Sequence, residues 1–265
     1  MSFYFQDKSW VELKDYIERG AVVLLPLGTV EEHGEHMAVG ADTMIAEDTS
    51  RSIAEAWTKK VHDPPILVMP TFWSGYSMEI MRAWPGTISV RPDIVLAAMT
   101  DVVGSLARMG FYRIVVSNNH GHHDGIMRQL VRDAADRYQA WIAVIQPASF
   151  ATQRFVEIRK SVPGGAIHAG EYETSLMLYY GRPIDMSKAK DVDIMRYSSK
   201  YCPADGFSGS KPVVWSTWGL QRSQTGAYGD PTVASKETGA KLVEAIVESA
   251  VEFLKEFCRV TTKGK

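Results

Sequence analysis

Apolar and polar positions along this chain fall into blocks that predict helix and strand in turn. SWVELKDYIERG carries Trp10, Leu13 and Ile17 at helical spacing, opens with Ser9 and Glu12 as a capping box, and stops at Gly20. AVVLLPLG follows as an almost wholly apolar, branched run, which reads as a strand buried on both faces. Asp42 is placed to cap the next helix, IAEDTSRSIAEAWTKK, and ILVMP returns as a second strand, so the unit is βαβ. PDIVLAAMTDVVGSLARMG has Pro92 in a first helical turn and Gly110 at its end, and RIVVSNN is a third strand. DGIMRQLVRDAADRYQ is an amphipathic helix, WIAVIQP a fourth strand, and SKETGAKLVEAIVESAVEFLKEF a long closing helix that begins at Ser235. This alternation predicts an α/β fold, a three-layer α/β/α sandwich around a mostly parallel central sheet.

Residues 183–229 break the pattern. They carry Tyr197, Tyr201, Phe207, Trp215, Trp218 and Tyr228 with no clear period, and so long an irregular stretch is expected to be a substrate lid or a subunit contact. At 265 residues with no linker, repeat or low-complexity tract, the chain reads as one domain over 1–265. The 29 basic residues are scattered and outnumbered by 31 acidic ones, so no stripe for nucleic acid emerges. Cys202 and Cys258 belong to no C-x-x-C pattern and suit a reducing compartment. MSFYFQDKSW lacks the pattern of a signal peptide, and no apolar run approaches the roughly 20 residues of a membrane span; the expectation is a cytoplasmic protein.

In a parallel sheet, chemistry collects beyond the carboxyl ends of the strands, where the strand-to-helix loops converge. Glu31, His33 and Asp42 follow the first strand, and His120, His122, His123 and Asp124 follow the third. With His36, five of the seven histidines lie in these two loops. A single histidine is more often a core or surface residue than a ligand, but clustering on one sheet edge changes that balance. Carboxylate plus imidazole is a ligand set for zinc, manganese or iron, and a carboxylate such as Asp42 can bridge two ions.

TVEEHGEHMAVGAD, from Thr29 to Asp42, resembles the metal-binding signature of the creatininase (creatinine amidohydrolase) family, with Glu32 at a position usually held by Gln. NNHGHHDG, from Asn118, and HAGEYETSLML, from His168 to Leu178, are similar to two further segments of that family, as are WPGTIS and GAYGDPTVASKETG. The resemblance covers essentially the whole chain in order. It implies a two-metal hydrolase, with zinc and/or manganese, or iron, that opens amide bonds in small, often cyclic substrates and assembles as a homo-oligomer up to a hexamer. By position, Glu31, His33, Asp42 and His120 match the family's metal ligands. His122 falls where creatininase has a ligating Glu. His168 matches the substrate-side histidine, while Ile167, Asn119 and His123 replace residues usual there. VIQPASF, from Val144 to Phe150, has no Trp, so creatinine is not the expected substrate.

On this reading a water bridged by two divalent cations is deprotonated near neutral pH and attacks a carbonyl polarised by one of them. His168 passes a proton to the leaving nitrogen, and Glu173 is its partner near the metals. Glu171 reads instead as a solvated acid favoured by the helix dipole, and Glu35 and His36 either orient ligands or are plain loop residues. Ser74 and Ser77 accompany no nucleophile elbow. Met78, Ile80, Met81 and Trp84 suit a pocket wall or a core patch equally. Two other classes stay open: the same site cleaving a lactone, a diketone carbon–carbon bond or a peptide end, and a non-catalytic binding or scaffold protein.

Overall fold

The computed structural model describes residues 2–209, 213–215 and 218–260. Its first helix, α1 (Trp10–Glu18), forms the capping box: the Glu12 amide donates to Ser9 Oγ at 3.3 Å and the Ser9 amide donates to Glu12 Oε2 at 2.8 Å. Gly20 then turns the chain with φ +67°, and β1 (Val22–Leu27) runs fully buried. After β1 come α2 (Ala41–Lys60), β2 (Ile66–Val68), α3 (Pro92–Met109), β3 (Arg113–Asn118), α4 (Asp124–Arg137) and β4 (Trp141–Ile145). All four strands are parallel, in the order β2-β1-β3-β4, with Val22 opposite Ile66 on one side and Arg113 on the other.

The period of two along β1 divides the core. Val22 and Leu24 face Ile53 and Trp57 of α2, together with Leu242 and Ile246 of the closing helix α8 (Lys236–Arg259). Val23, Leu25 and Leu27 face Met99 and Val103 of α3 and Leu130 of α4. Full burial of each such side chain stabilises by about 1.5–3 kcal/mol relative to exposure, so both faces need a helical cover. The three-layer α/β/α sandwich with its mostly parallel sheet follows from that requirement.

Between β4 and α8 lie the short helices α5 (Pro147–Phe150) and α6 (Thr152–Ile158), then β5 (Ala166–His168) and α7 (Glu171–Tyr180). β5 pairs antiparallel with the two-residue β6 (Tyr228–Gly229), which ends the irregular segment.

Several expectations are corrected. Asp42 caps nothing: Gly40 is the N-cap of α2, without a side-chain cap, and Asp42 lies inside the first turn with its carboxylate buried. Glu171 is not solvated; it is fully buried and accepts backbone N–H bonds from Lys160 and Ser161 at 2.8–3.1 Å. Tyr228 is not at the surface: it is buried against Met81 and Met195 with Ile80 packed alongside, which also places Met81 in a core. Trp215 is half exposed and stands edge-on to Tyr197 at 6.0 Å. Residues 210–212 and 216–217 and the side chain of Trp218 lie outside the described residues. Among the described residues no helix is long and apolar enough to cross a membrane.

Candidate metal centre

Four chain segments converge beyond the carboxyl ends of β1 and β3. The loop after β1 is anchored where the Glu31 amide donates to the Val39 carbonyl at 2.9 Å, and it carries Glu31 and His33. It packs on the first turn of α2 so closely that a Cβ at Gly28 would lie 2.6 Å from the Thr43 nitrogen, which brings Asp42 beside it. The chain leaving β3 is tied back by Asn119 N–H to the Leu27 carbonyl at 3.0 Å and supplies His120 and His122. β5 delivers His168, and the first turn of α7 delivers Glu173. Ala169 links these last two with φ +55°, a left-handed conformation uncommon for a residue with a Cβ. Its N–H donates to Glu173 Oε2 at 2.6 Å.

The imidazoles are oriented from behind. His33 Nδ1 meets the Glu31 carbonyl at 2.9 Å, His120 Nε2 the Tyr76 carbonyl at 3.0 Å, and His168 Nε2 the Glu32 carbonyl at 2.7 Å. A carbonyl only accepts, so each of these nitrogens carries the proton, and in the neutral ring the other nitrogen presents a lone pair. Those lone pairs face carboxylates. His120 Nδ1 lies 2.9 Å from Asp42 Oδ2 and 3.6 Å from Glu31 Oε2; His33 Nε2 lies 3.4 Å from Asp42 Oδ1 and 3.8 Å from Glu173 Oε2; His168 Nδ1 lies 3.7 Å from Glu31 Oε2. His122 Nδ1 is 3.6 Å from Glu31 Oε1 and also accepts from the Met78 amide at 3.3 Å.

Acceptors facing acceptors in a buried site demand a cation between them. Both oxygens of Glu31, Asp42 Oδ2 and His33 Nε2 are buried without a regular hydrogen bond. Among the described residues three groups of donors, each within 4.8 Å, are positioned to hold an ion: Glu31 with His120 and His122, Glu31 with His33 and His168, and His33 with Asp42 and Glu173. The residues therefore fit divalent metal, as nitrogen and oxygen donors with outer partners already in place. Where a proton serves instead, burial opposes charging His33, yet Asp42, Glu173 and Glu31 push it up to about 10. His120 rises to about 9, with burial again overcome by Glu31 and Asp42. Asp42 is driven far below the usual carboxylate range by those two imidazoles despite its burial, and burial raises Glu173.

The structure thus brings together all seven residues singled out from the sequence: Glu31, His33, Asp42, His120, His122, His168 and Glu173. His123 stands outside the ring of donors. Its Nε2 accepts the Tyr76 amide at 3.0 Å and its Nδ1 meets Asn118 Oδ1 at 3.2 Å, so it braces the loop carrying the Tyr76 carbonyl, and burial holds its pKa down at about 3. His36 is buried against Thr174 Oγ1 at 3.0 Å, whereas Glu35 turns outward to Lys190 at 2.8 Å. Sequence reasoning missed Tyr76 and Asn118; only the place of Asn118 at the end of β3 signalled a role.

A cavity of about 380 Å³ opens onto the donors. His120, His122, His168 and Glu173 form one side; Asn119, Gln146, Ser149, Thr152, Tyr172 and Phe207 form much of the rest. The size suits a small ligand.

The chain resembles known proteins over most of its length. The chain is 29% identical over 244 residues to a mycofactocin precursor peptide peptidase of Mycobacterium tuberculosis (strain CDC 1551 / Oshkosh), covering 86% of this chain and 82% of that protein. It is 25% identical over 274 residues to a creatinine amidohydrolase of Pseudomonas putida, covering 96% and 97%. A solved structure described as "Creatininase Mn" shares the fold, with a TM-score of 0.76 at 22% identity over 97% of this chain and 98% of that one. Residues 6–254 match the creatininase (creatinine amidohydrolase) family, and the chain belongs to that family.

Proposed function

We propose that the protein is a metal-dependent hydrolase that cleaves an amide C–N bond in a small, possibly cyclic, substrate. The observation that carries this reading is the buried ring of lone pairs facing carboxylates, four of whose residues, His120, His122, His168 and Glu173, line a cavity. Glu31, His33, Asp42 and His120 would hold two divalent ions, zinc or manganese, with His122 completing the set. Such ions supply Lewis-acid polarisation of a carbonyl and acidify water. Support for the C–N bond comes from the relatives, named as a peptidase and an amidohydrolase.

The chain's own groups position the reaction. His168 lines the cavity with its Nε2 proton tied to the Glu32 carbonyl, so Nδ1 is the atom that takes up and releases a proton for the leaving nitrogen. Glu173 lines the same side, and its orientation is set by the Ala169 amide. A second reading has an observation behind it: both residues also lie within ligand distance of other donors. Metal content of a His168→Ala variant separates the two, since retained metal with lost turnover supports proton transfer and lost metal supports ligation.

The overall test is a screen of cyclic amides, formamides and lactones with metal-replete protein, beside Asp42→Ala. Amide turnover that falls by more than roughly 100-fold, together with metal content, is expected, because even outer partners of a ligand are worth 10–100-fold. Lactone turnover without amide turnover moves the protein to another bond. Unchanged metal content in the variant overturns the metal reading.

A further inference from the structure

Part of the cavity's wall comes from a stretch of chain that contributes no metal donor. Phe207 lies in the irregular segment, is half buried, and lines the same cavity as His120, His168 and Glu173. Its ring is backed by Phe155 of α6, with centroids 4.6 Å apart and planes at 65°, and by Tyr172 of α7 at 5.2 Å. Both supports belong to the main core, so the ring is held from behind by side chains that do not depend on a ligand. Resting on the reading of this cavity as the substrate site of an amide hydrolase, we infer that Phe207 determines specificity, selecting a substrate with a flat aromatic group beside the scissile amide, and that Asp205 positions it.

Asp205 is 1% exposed and accepts five hydrogen bonds. Arg159 donates from Nη1 at 3.3 Å and Nη2 at 2.8 Å, the Gly164 amide at 2.7 Å, Ser208 Oγ at 2.6 Å and the Phe207 amide at 3.1 Å. One carboxylate therefore fixes the backbone of the aromatic wall to the turn that leads into β5 and His168. Arg159 is itself anchored, with Nε donating to the Ser161 carbonyl at 2.9 Å and Nη2 to the Val162 carbonyl at 2.8 Å. A side chain held in this way presents its ring without paying for its ordering again at each binding event, which is the condition for selectivity by stacking. In the same cavity, Asn119, Gln146, Ser149 and Thr152 offer uncharged donors and acceptors, suited to an amide rather than to an ion.

The probes are benzamide and cyclohexanecarboxamide, which differ in a flat against a puckered ring of equal carbon number. Binding is measured by calorimetry to metal-free and metal-loaded protein, and kcat and KM are measured wherever turnover occurs. Wild type is expected to prefer benzamide by roughly three- to tenfold, the scale of one aromatic pair beyond its area. Phe207→Leu, which keeps an apolar side chain and removes the ring, should level the two. Asp205→Asn should weaken the same preference through KM, with kcat within about twofold and metal content unchanged. The two changes combined should be no worse for benzamide than Phe207→Leu alone, which a merely structural role of Asp205 would not produce. Should Asp205→Asn fail to fold, Phe207→Leu still decides the role of the ring. Selectivity that survives Phe207→Leu, a wild type without preference, or one that binds neither amide overturns the inference. Selective binding without any amide turnover sinks the proposed reaction and leaves the wall standing, and turnover without ring preference does the reverse.

Discussion

Two regions of this molecule meet at one cavity and are held together by different forces. The sheet and its helices, through α4, are assembled by apolar surface: β1 is buried on both faces, and the helices that cover it do so with side chains such as Trp57, Met99 and Leu130. The segment 183–229 is assembled by buried carboxylates. Asp193 accepts from Ser223 Oγ, the Gln224 amide, the Thr225 amide and Thr225 Oγ1 at 2.6–2.9 Å, and Asp205 does the same for Phe207 and Ser208. Where a chain makes few ladder hydrogen bonds, its backbone N–H groups still need acceptors once buried, and an ionised carboxylate can satisfy several at once. The donors of the candidate metal centre stand on the first kind of scaffold and at its junction with β5 and α7. The aromatic wall hangs on the second.

The largest effect expected from this contrast lies in the sheet. Leu24→Ala, at a fully buried position of β1, should cost about 2–5 kcal/mol of global stability in denaturant unfolding, with protection lost across both helical layers. An effect confined to residues 183–229 would break the division. Next, Asp193→Ala removes the acceptor of the Gln224 amide and one of the two acceptors of the Thr225 amide, which is worth about 1–3 kcal/mol locally. Hydrogen exchange should quicken at 223–226 while the amides of β1 and β3 keep their rates; equal quickening in both regions argues against separate forces. The smallest and most gradual effect comes with acid. Burial opposes ionisation of Asp205, but Arg159, Ser208 and the Gly164 amide hold its carboxyl below the usual range. That stabilisation is complete above the unfolded value of about 3.9 and is lost as pH falls through the lower folded value. Exchange near 203–208 should therefore rise at acid pH less steeply in Asp205→Asn than in wild type, measured by mass spectrometry across that window.

The same division explains what could be read from residues alone. Strands and helices built on apolar period were legible, as were Pro92 and Gly110 at the ends of α3. The donors were legible because Glu31, His33, His120 and His122 sit directly after strands, where a parallel sheet gathers its loops. Asp42 was misread as a cap because its local position, two residues after Gly40, is the same whether it faces the helix amides or a metal site. Glu171 was misread for a related reason: its acceptors' partners, Lys160 and Ser161, lie ten or more residues away. Asp205 has local partners in Phe207 and Ser208, but its pairing with Arg159, 46 residues distant, has no period and left no trace. Phe207 was visible as one aromatic among six, without anything to single it out.

Ala169 carries one further consequence. A residue with a Cβ in the left-handed region stores roughly 1–3 kcal/mol that the rest of the fold must offset. That tension sits on the single peptide joining His168 to the amide that grips Glu173. Part of the protein's stability is thus held in reserve as the alignment of two side chains, and a sequence optimised only for thermal endurance would relax this turn first and surrender the registry of the site.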